Sequence, residues 1–484
     1  MKKLLILQIL LIISGISAVR CIGQSVAINT DGSTANAAAI LDVKSYTKGV
    51  LIPRTKTTAI ATPVKGLIIY DTTTNSFWFH NGTSWTEIAS AGVLAGWATT
   101  GNASTAYGTD FIGTTDNQSL QIKVQGQVSG RIENGSANYN TSIGFKALAS
   151  VITGADNVAV GSGTLQSNIT GKGLTAVGDS AAYNTDIASG IIPNVAVGYK
   201  AMFSNTSGWN DVAMGYQALY KNTTGFSNVA VGPGALYNNN GLNNAGFGYN
   251  TLANNLNGYY NIACGSSSLS NSTGFQNSGF GGYALLTLSA GNNNTGLGYD
   301  ADVSTGTMNN ATVIGANAIV NADNKVRIGN SSVTVIEGQV AYSFPSDARF
   351  KENVQDDVKG LDFILKLRPV SYNFNRSKYA AFIHENTGGR EKELVDLSSI
   401  RTTGFIAQDL EKTIHESGFS SFSAVHAPTN ETDNYSVSYE QFVVPLVKSV
   451  QELNKKVEDL ESAIKELKKQ LQQNKNRKML LPHK

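Results

Sequence analysis

A short phrase repeats through the middle of the chain, and its spacing constrains the fold more than any other feature. The phrase runs from asparagine to glycine at 157–161, 194–198, 228–232 and 261–265. Its glycine recurs between positions 144 and 315 in steps of 16 or 17 residues, with one step of 20. This period is too short for a helical hairpin, so it predicts that each unit forms one coil of a β-solenoid.

The residues around each glycine predict how a coil is filled. An apolar residue always precedes the glycine, and we expect these residues to form a core ladder with the smaller residue before them on the opposite face. A second apolar rung is expected four residues after the glycine. The residues that carry the ladder and the rung are Ile143, Val160, Val177, Val197, Met214, Val231, Phe247, Cys264, Phe280, Leu297 and Ile314, then Leu148, Leu165, Met202, Leu219, Leu236, Leu252, Leu269, Leu285 and Ile319.

Three further expectations concern the corners and polar sites of the repeat. Turn phrases at 223–225, 257–258 and 272–274 end in glycine, which predicts that these glycines supply the positive-φ residues of the corners. Cys264 lies in the ladder, so we expect it to be buried as a small hydrophobic residue rather than to act as a ligand or nucleophile. Asn205 begins an Asn-x-Ser sequence that is better explained by turn chemistry than by glycosylation.

One coil of about seventeen residues encloses too little volume to bury much apolar area. Association of several chains is the expected way to dry the apolar rungs, so the repeat predicts an oligomer. The repeated phrases resemble the head repeats of trimeric autotransporter adhesins, which form parallel β-rolls wound by three chains. That resemblance implies a homotrimer.

Length and composition narrow the functional classes. A chain of 484 residues should hold several domains, and its 49 glycines argue against a helical protein. The net charge is only +2, and the basic cluster at 465–478 is expected to be the solvated face of a helix. Nucleic acid is therefore not a favoured partner.

The N-terminus has the layout of a secretory signal peptide. Two lysines precede an apolar run at 4–16, and small residues follow, so we predict removal of 1–23 with cleavage after Ala18 or Gly23. A lipoprotein anchored at Cys21 is the less favoured alternative, because Arg20 directly precedes that cysteine. No other apolar run reaches the ~20 residues that a transmembrane helix needs. The sequence thus predicts a secreted or cell-surface protein without a transmembrane anchor.

Residues 24–130 are predicted to form an N-terminal β-rich fibre segment. Strands are expected at 66–71, 76–80 and 83–88, joined by Asn, Asp and Gly turns. Their aromatic side chains fit either the core of a hairpin or a carbohydrate site, and the hairpin core is the favoured interpretation. The segment looks like the N-terminal part of many secreted bacterial fibre proteins.

A hydroxyl and an amine lie five residues apart just after the repeats. Ser346 attacks a carbonyl only if a base removes its proton, and Lys351 is such a base once its amine is neutral. Asp347 and Arg349 lie between them. By itself this stretch also fits a helix N-cap with solvated charges.

Three more phrases follow, at 367–372, 404–411 and 437–440. Together with the serine motif they resemble the endosialidase-type intramolecular chaperone, a self-cleaving serine peptidase domain of phage tail spikes. The resemblance implies that the domain aligns three chains and then severs itself. It implies Ser346 and Lys351 as the catalytic pair, the bond between Pro345 and Ser346 as the scissile bond, and a supporting role for Asp347 and Arg349.

The last helix has apolar residues in alternating steps of three and four, which predicts a coiled coil. Lys456 and Glu461 fall at g and following e positions, which suit pairing between chains. β-branched residues at a with leucine at d favour two strands, whereas the resemblances favour three; we expect three. The apolar positions are Val443, Leu446, Val450, Leu453, Val457, Leu460, Ile464, Leu467 and Leu471.

The predicted fold class is mainly β: a trimeric parallel β-roll or solenoid, an α+β chaperone domain and a C-terminal coiled-coil helix. The predicted boundaries are 1–23, 24–130, 131–330 for the repeats, 331–345 for a linker, 346–440 for the chaperone domain and 441–478 for the helix. An enzyme that acts on an external substrate is a less favoured alternative function. His384 and His415 do not have the spacing of metal ligands, and the sequence has no nucleotide-binding or zinc motif. We therefore expect no cofactor or metal.

Two alternative functions share the predicted fibre architecture. In one, the C-terminal domain is a permanent trimerisation cap on a structural adhesin. In the other, the chain is a phage tail fibre proper, which the signal peptide disfavours. The mature fibre could bind a cell-surface or carbohydrate ligand, whose identity these residues do not indicate.

Overall fold

The computed structural model describes residues 25–88, 111–134, 138–187 and 193–479. The predicted signal peptide at 1–23 lies outside these residues. The chain divides into two units, Met1–Ile112 and Gly113–Lys484. Each unit has its own sheets, and each is described by itself.

The first unit contains a parallel strand pair and a four-stranded sheet. Ile69 is its buried centre, and the rings of Tyr70 and Phe77 meet edge to face at 5.2 Å across neighbouring strands. His80 and Trp85 make a similar contact at 5.4 Å. The three predicted strands are confirmed, and their aromatic side chains pack on each other. The strands are β1 (Val26–Asn29), β2 (Leu41–Lys44), β3 (Arg54–Thr55), β4 (Ile68–Asp71), β5 (Ser76–His80) and β6 (Trp85–Ile88), with a 3₁₀ turn at Thr57–Ala59.

The second unit is dominated by a parallel β-solenoid, as the repeat predicts. A hairpin of β7 (Leu120–Val124) and β8 (Gln127–Ile132) begins a fourteen-stranded sheet, and the next strand, β9 (Thr141–Ile143), pairs antiparallel with β8. From β9 onward every pairing in this sheet is parallel, and equivalent residues of successive repeats lie side by side. The coil strands are Thr141–Ile143, Val158–Val160, Thr175–Val177, Val195–Val197, Val212–Met214, Val229–Val231, Ala245–Phe247, Ile262–Cys264, Ser278–Phe280, Thr295–Leu297, Thr312–Ile314 and Val326–Ile328, and a smaller pair joins Asp302–Val303 to Ile319–Val320.

The glycine after each strand is required by the stacking of the coils. At Gly178, φ is +131°, and a Cβ would lie 2.5 Å from the carbonyl oxygen of Gly198 in the next coil. Such an overlap displaces backbone, so a larger residue cannot occupy this position without a shift of the coil. The regular spacing of the glycine therefore records the stacking period of the solenoid.

The apolar residue before each glycine does not lie inside the coil, so the prediction of a core ladder at this position is wrong. The middle residue of each strand, such as Ala159 or Ala213, is buried, whereas the apolar residue before the glycine is exposed or half-buried in the single chain. The interior is narrow because the second rung fills it: a Cβ on Gly296 would lie 2.8 Å from Leu285. Small residues occupy this position beneath most strands, with the buried Val313 as the exception. Cys264 is accordingly exposed in the single chain and does not lie inside the coil, where the ladder was expected.

The second apolar rung is confirmed, but the predicted origin of the corners is wrong. Leu165, Leu219 and Leu252 are fully buried, and each has a left-handed φ near +50°. Gly225, Gly258 and Gly274 do not have positive φ. They are needed because the next coil approaches closely: a Cβ on Gly258 would lie 2.2 Å from the carbonyl oxygen of Gly274.

Buried asparagines connect successive coils through their side-chain amides. The backbone and side-chain nitrogens of Asn157 both donate to Asn140 Oδ1 at 3.0 Å, and Asn157 Nδ2 also donates to the Gly171 carbonyl at 2.9 Å. An amide both donates and accepts, so the pattern propagates from coil to coil; we call it the amide ladder. Its members are Asn140, Asn157, Asn194, the carboxylate Asp211, Asn228, Asn244, Asn261, Asn277 and Asn294, and Leu174 interrupts it between Asn157 and Asn194.

Asparagine also closes turns within a coil. Asn205 is buried, its Oδ1 accepts from Gly208 N at 2.9 Å, and its Nδ2 donates to the Gly208 carbonyl at 3.0 Å. This confirms turn chemistry as the role of Asn205.

The C-terminal module, residues 346–479, has an aromatic core and real helices. Phe363 is buried, with Phe419 and Phe422 each 5.2 Å away, and Phe442 completes the cluster. The helices are α1 (Leu361–Ile364), α2 (Arg376–Phe382), α3 (Glu391–Ser398), α4 (Ala407–Glu416) and α5 (Val443–Met479); the strand pairs are Val370–Asn373 with Arg401–Gly404 and Val425–His426 with Ser436–Val437, and 3₁₀ turns lie at Ala348–Phe350 and Tyr439–Phe442.

Helix α5 leaves its apolar stripe uncovered in the single chain. Leu460 is 63% exposed, and the other heptad positions are exposed as well. Near its start the helix packs on α1, where Glu452 accepts a hydrogen bond from Leu361 N at 2.7 Å. In the part of the chain that the structure describes, no helix combines the length and apolar character needed to cross a bilayer.

Candidate functional site

The structure brings Ser346 and Lys351 together. Lys351 Nζ lies 2.7 Å from Ser346 Oγ, which is hydrogen-bonding distance. The 3₁₀ turn at Ala348–Phe350 folds the chain back, and Lys351 N donates to the Ala348 carbonyl at 3.2 Å. A separation of five residues is thus converted by one tight turn into a direct contact between hydroxyl and amine.

Asp347 and Arg349 hold this turn in place. Asp347 is the N-cap: its Oδ1 accepts from Arg349 N at 2.9 Å, and the two side chains form an ion pair at 2.6 Å. The Arg349 guanidinium, followed by the Arg349 backbone N–H, lowers the pKa of the Asp347 carboxyl. The N-cap that the sequence allows is therefore real, but Asp347 provides it, and Ser346 stays free to bond with Lys351.

The pair is exposed in the single chain, as is the stretch 333–357 that carries it and Pro345. An amine in water is protonated at neutral pH, and a protonated amine donates to the serine oxygen rather than taking its proton. The contact has the distance that proton transfer needs. It lacks the dry surroundings that would favour a neutral amine.

The three downstream phrases converge on one point of the module. Gly404 ends the second strand of the first pair, and a Cβ there would lie 2.2 Å from the Tyr439 hydroxyl and 3.3 Å from the Tyr372 ring. Tyr439 Oη in turn accepts from Phe405 N at 3.0 Å. Arg368 and Asp409 add an ion pair between the first two phrases. The phrases thus form a scaffold packed around Gly404.

Comparison with known families identifies two parts of the chain. Residues 346–419 match the family described as chaperone of endosialidase. Residues 27–105 match the family described as phage tail like trimerisation region. Searches of curated proteins and of solved structures gave no significant match.

The two matches bear on different expectations. The first begins at Ser346 and confirms the resemblance of the C-terminal module to the endosialidase chaperone, which is a self-cleaving domain. The second lies in the N-terminal fibre segment. A trimerisation region and a chaperone domain, joined by a solenoid, fit a trimeric fibre that carries its own folding aid, and fibres of this kind are extracellular or surface proteins.

Sequence reasoning missed a polar cluster around Asp433. Its side chain is completely buried, and it contacts Lys325 at 2.9 Å and His426 at 2.8 Å. Burial tends to raise the pKa of Asp433, but hydrogen bonds from Lys325, Thr429 and His426 outweigh burial and lower it. Lys325 is 108 residues away along the chain, so no local spacing indicates the pair. Among the described residues, no group of three His, Cys, Asp or Glu side chains forms a metal site.

Proposed function

We propose that the chain is a secreted or surface-exposed trimeric fibre whose C-terminal domain aids its assembly and then cuts itself off before Ser346. The observation that carries the proposal is the 2.7 Å contact between Lys351 Nζ and Ser346 Oγ, at the first residue of the segment that matches the endosialidase chaperone.

The chemistry needs only groups of this chain and one water. Neutral Lys351 takes the proton of Ser346 Oγ, which attacks the carbonyl carbon of Pro345. The C–O bond forms, the C–N bond to Ser346 breaks, and the Ser346 nitrogen leaves as an amine after receiving that proton from the Lys351 ammonium group. Water then hydrolyses the ester, leaving a carboxylate on Pro345 and a new N-terminus at Ser346. Because nucleophile and carbonyl belong to adjacent residues, orientation supplies much of the rate.

Assembly supplies the condition that the single chain lacks. The outer ladder, which is the apolar residue before each glycine, and the heptad stripe of helix α5 are both uncovered in one chain. Contact between chains along these surfaces buries them, and burial of Lys351 in the assembled trimer favours its neutral amine. Cutting is thereby tied to completed assembly. A cap that never cuts is the alternative.

A denaturing gel of the expressed protein distinguishes the self-cleaving domain from the permanent cap. We expect a C-terminal fragment whose N-terminal residue is Ser346, and none in the Ser346→Ala or Lys351→Ala variants. Ser343→Ala and Lys359→Ala change the same residue types nearby in the exposed chain and should cut normally. An intact wild-type chain in a trimer of full mass would contradict the proposal and support the permanent cap.

The exported product tests the rest of the proposal. Mass spectrometry should give a mature N-terminus between residues 19 and 24, and native mass should give three copies. A retained N-terminal leader, or a dimer, would contradict secretion by signal peptide or trimeric assembly respectively.

A further inference from the structure

Two buried carboxylates join the end of the solenoid to the C-terminal module. The first belongs to Asp433, whose Oδ1 pairs with Lys325 Nζ at 2.9 Å. Its Oδ2 accepts from Thr429 N at 3.0 Å and contacts His426 Nε2 at 2.8 Å. The lysine is in the last coil and the other partners are in the module. The ion pair therefore crosses from one part to the other.

The second carboxylate belongs to Glu385. It accepts from Ser331 N at 3.0 Å and from Ser331 Oγ at 2.7 Å, and Arg390 neutralises it at 3.0 Å. Arg390 also donates to Ser332 Oγ at 2.8 Å. Arg376 reaches the Ser331 carbonyl at 2.6 Å. The chain that leaves the solenoid is thus clasped by the module before it becomes exposed.

Smaller contacts surround these two clusters. Asn321 Nδ2 donates to the Thr432 carbonyl at 2.7 Å and to Asn434 Oδ1 at 3.0 Å. Arg327 Nη1 donates to the Tyr379 hydroxyl at 2.9 Å. The contacts named here are polar or charged, and charge-assisted hydrogen bonds between partly buried groups are the stronger ones.

All solenoid groups in these contacts precede Pro345, and all module groups follow Ser346. A cut between those two residues breaks one covalent bond and leaves every one of the contacts in place. We propose that the severed C-terminal module stays docked on the end coil of the fibre, and that the Lys325–Asp433 and Glu385 clusters hold it there. This inference rests on the proposed cleavage.

The chemistry of the interface predicts how the docked module is released. Removing Lys325 leaves the Asp433 carboxylate buried without its cation, which is unfavourable in a dry site. A trimer presents three such interfaces at once, so the three modules, joined by their helices, dissociate more slowly than one interface alone would allow. We therefore expect loss of an ion pair to speed release of the module.

The test separates docking from self-cleavage. A Ser346→Ala chain carries a recognition sequence for a specific protease inserted after Gly338, in the exposed linker, and is cut after purification. We expect the module and the fibre to elute together on gel filtration. Adding Lys325→Met should speed dissociation at least roughly tenfold, while Lys221→Met, which removes an exposed lysine from a middle coil, should not.

The double variant Lys325→Met with Asp433→Asn guards against a folding defect. If the pair acts as proposed, its dissociation is slower than that of Lys325→Met alone, because the orphaned charge is gone. Immediate separation of the fragments, or equal behaviour of Lys325→Met and Lys221→Met, would overturn the docking proposal. Absence of self-cleavage would instead appear in the unmodified chain, as the missing fragment on a denaturing gel.

Discussion

The solenoid and the C-terminal module build their cores from contacts of different sequence range. In the solenoid, partners are one coil apart: Asn157 bonds to Asn140, and Ala159 aligns with Ala176. In the module, Phe363 contacts Phe419 and Phe422, far along the chain. Because the coils resemble each other, a shift of their pairing by one whole coil costs little free energy. The aromatic core of the module has one arrangement. A module at the end of the repeats can therefore set the register that the repeats themselves leave open.

The largest expected effect tests this division of labour. Phe363→Ala should destabilise the module by about 3 to 5 kcal/mol, because a fully buried ring is lost. We expect the yield of assembled fibre to fall sharply. The fibre that does assemble should keep the thermal midpoint of the wild-type solenoid, measured by circular dichroism.

Phe382→Ala is the matched control, since Phe382 lies in the same module but is 42% exposed. Its yield should stay near that of the wild type. Full yield from Phe363→Ala would mean that the solenoid finds its register without the module.

The next effect concerns the one carboxylate in the amide ladder. Burial raises the pKa of Asp211 to about 7, despite hydrogen bonds from Asn228 and Asn222. An unfolded aspartate ionises near 3.9. Between these values the folded chain keeps a proton that the unfolded chain has lost, so the free energy of unfolding falls as pH rises from about 4 to 7 and is flat above. About three pKa units correspond to about 4 kcal/mol per chain.

Asp211→Asn should reduce that pH dependence and raise the thermal midpoint at pH 8. The remaining slope comes from Asp302, whose pKa burial raises to about 6. An amide there can donate to the Gly225 carbonyl, as Asn194 donates to the Gly208 carbonyl at 2.8 Å. Asn194→Asp is the reciprocal variant and should introduce a new decrease of stability with pH. Parallel midpoint-versus-pH curves for wild type and Asp211→Asn would show that Asp211 does not cause the slope.

Close packing of the coils predicts a third, somewhat smaller effect. Gly258→Ala places a methyl group 2.2 Å from both the Gly274 carbonyl oxygen and Asn255 Oδ1, so two coils must separate. We expect a loss of about 3 kcal/mol. Gly282→Ala, whose Cβ would meet the Tyr299 ring at 3.4 Å and the Ser266 carbonyl oxygen at 3.9 Å, should change stability by less than about 0.5 kcal/mol. Equal thermal midpoints for the two variants would contradict the packing argument.

The sequence predicts the solenoid because the spacing of the repeated phrase equals the number of residues in one stacked coil. The regular glycines and the buried leucines carry that signal directly. It does not predict which face of a three-residue strand is inside. Ala159 and Val160 alternate in the same way whichever face is buried, and only the width of the interior, set by Leu165 and its equivalents, decides that the smaller residue points inward.

The same distinction applies to the candidate site. Ser346 and Lys351 are local, so one turn and a family resemblance are enough to place them. Lys325 meets Asp433, and Ser331 meets Glu385, only when the module lies against the last coil. No local spacing in the sequence indicates either contact. Whether assembly buries Lys351 depends on other chains, which no pattern in a single chain specifies.

The smallest prediction tests association through helix α5. Lys456 and Glu461 are both exposed in the single chain. They are five residues apart on one helix and so do not face each other within it, since only residues three or four apart do. In a parallel coiled coil a g residue meets the following e residue of a neighbouring chain. Their coupling is thus a property of the oligomer alone.

A double-mutant cycle isolates that coupling from changes within each helix. Lys456→Glu and Glu461→Lys should each lower the thermal midpoint of the helix, and the double reversal should recover about 0.5 kcal/mol per pair relative to the sum of the single effects. The recovery should shrink in about 1 M salt, where the Debye length is roughly 3 Å. Strictly additive effects at low salt would place these two residues outside the contact between chains, and would leave the outer ladder and the apolar heptad stripe as the surfaces that hold the trimer together.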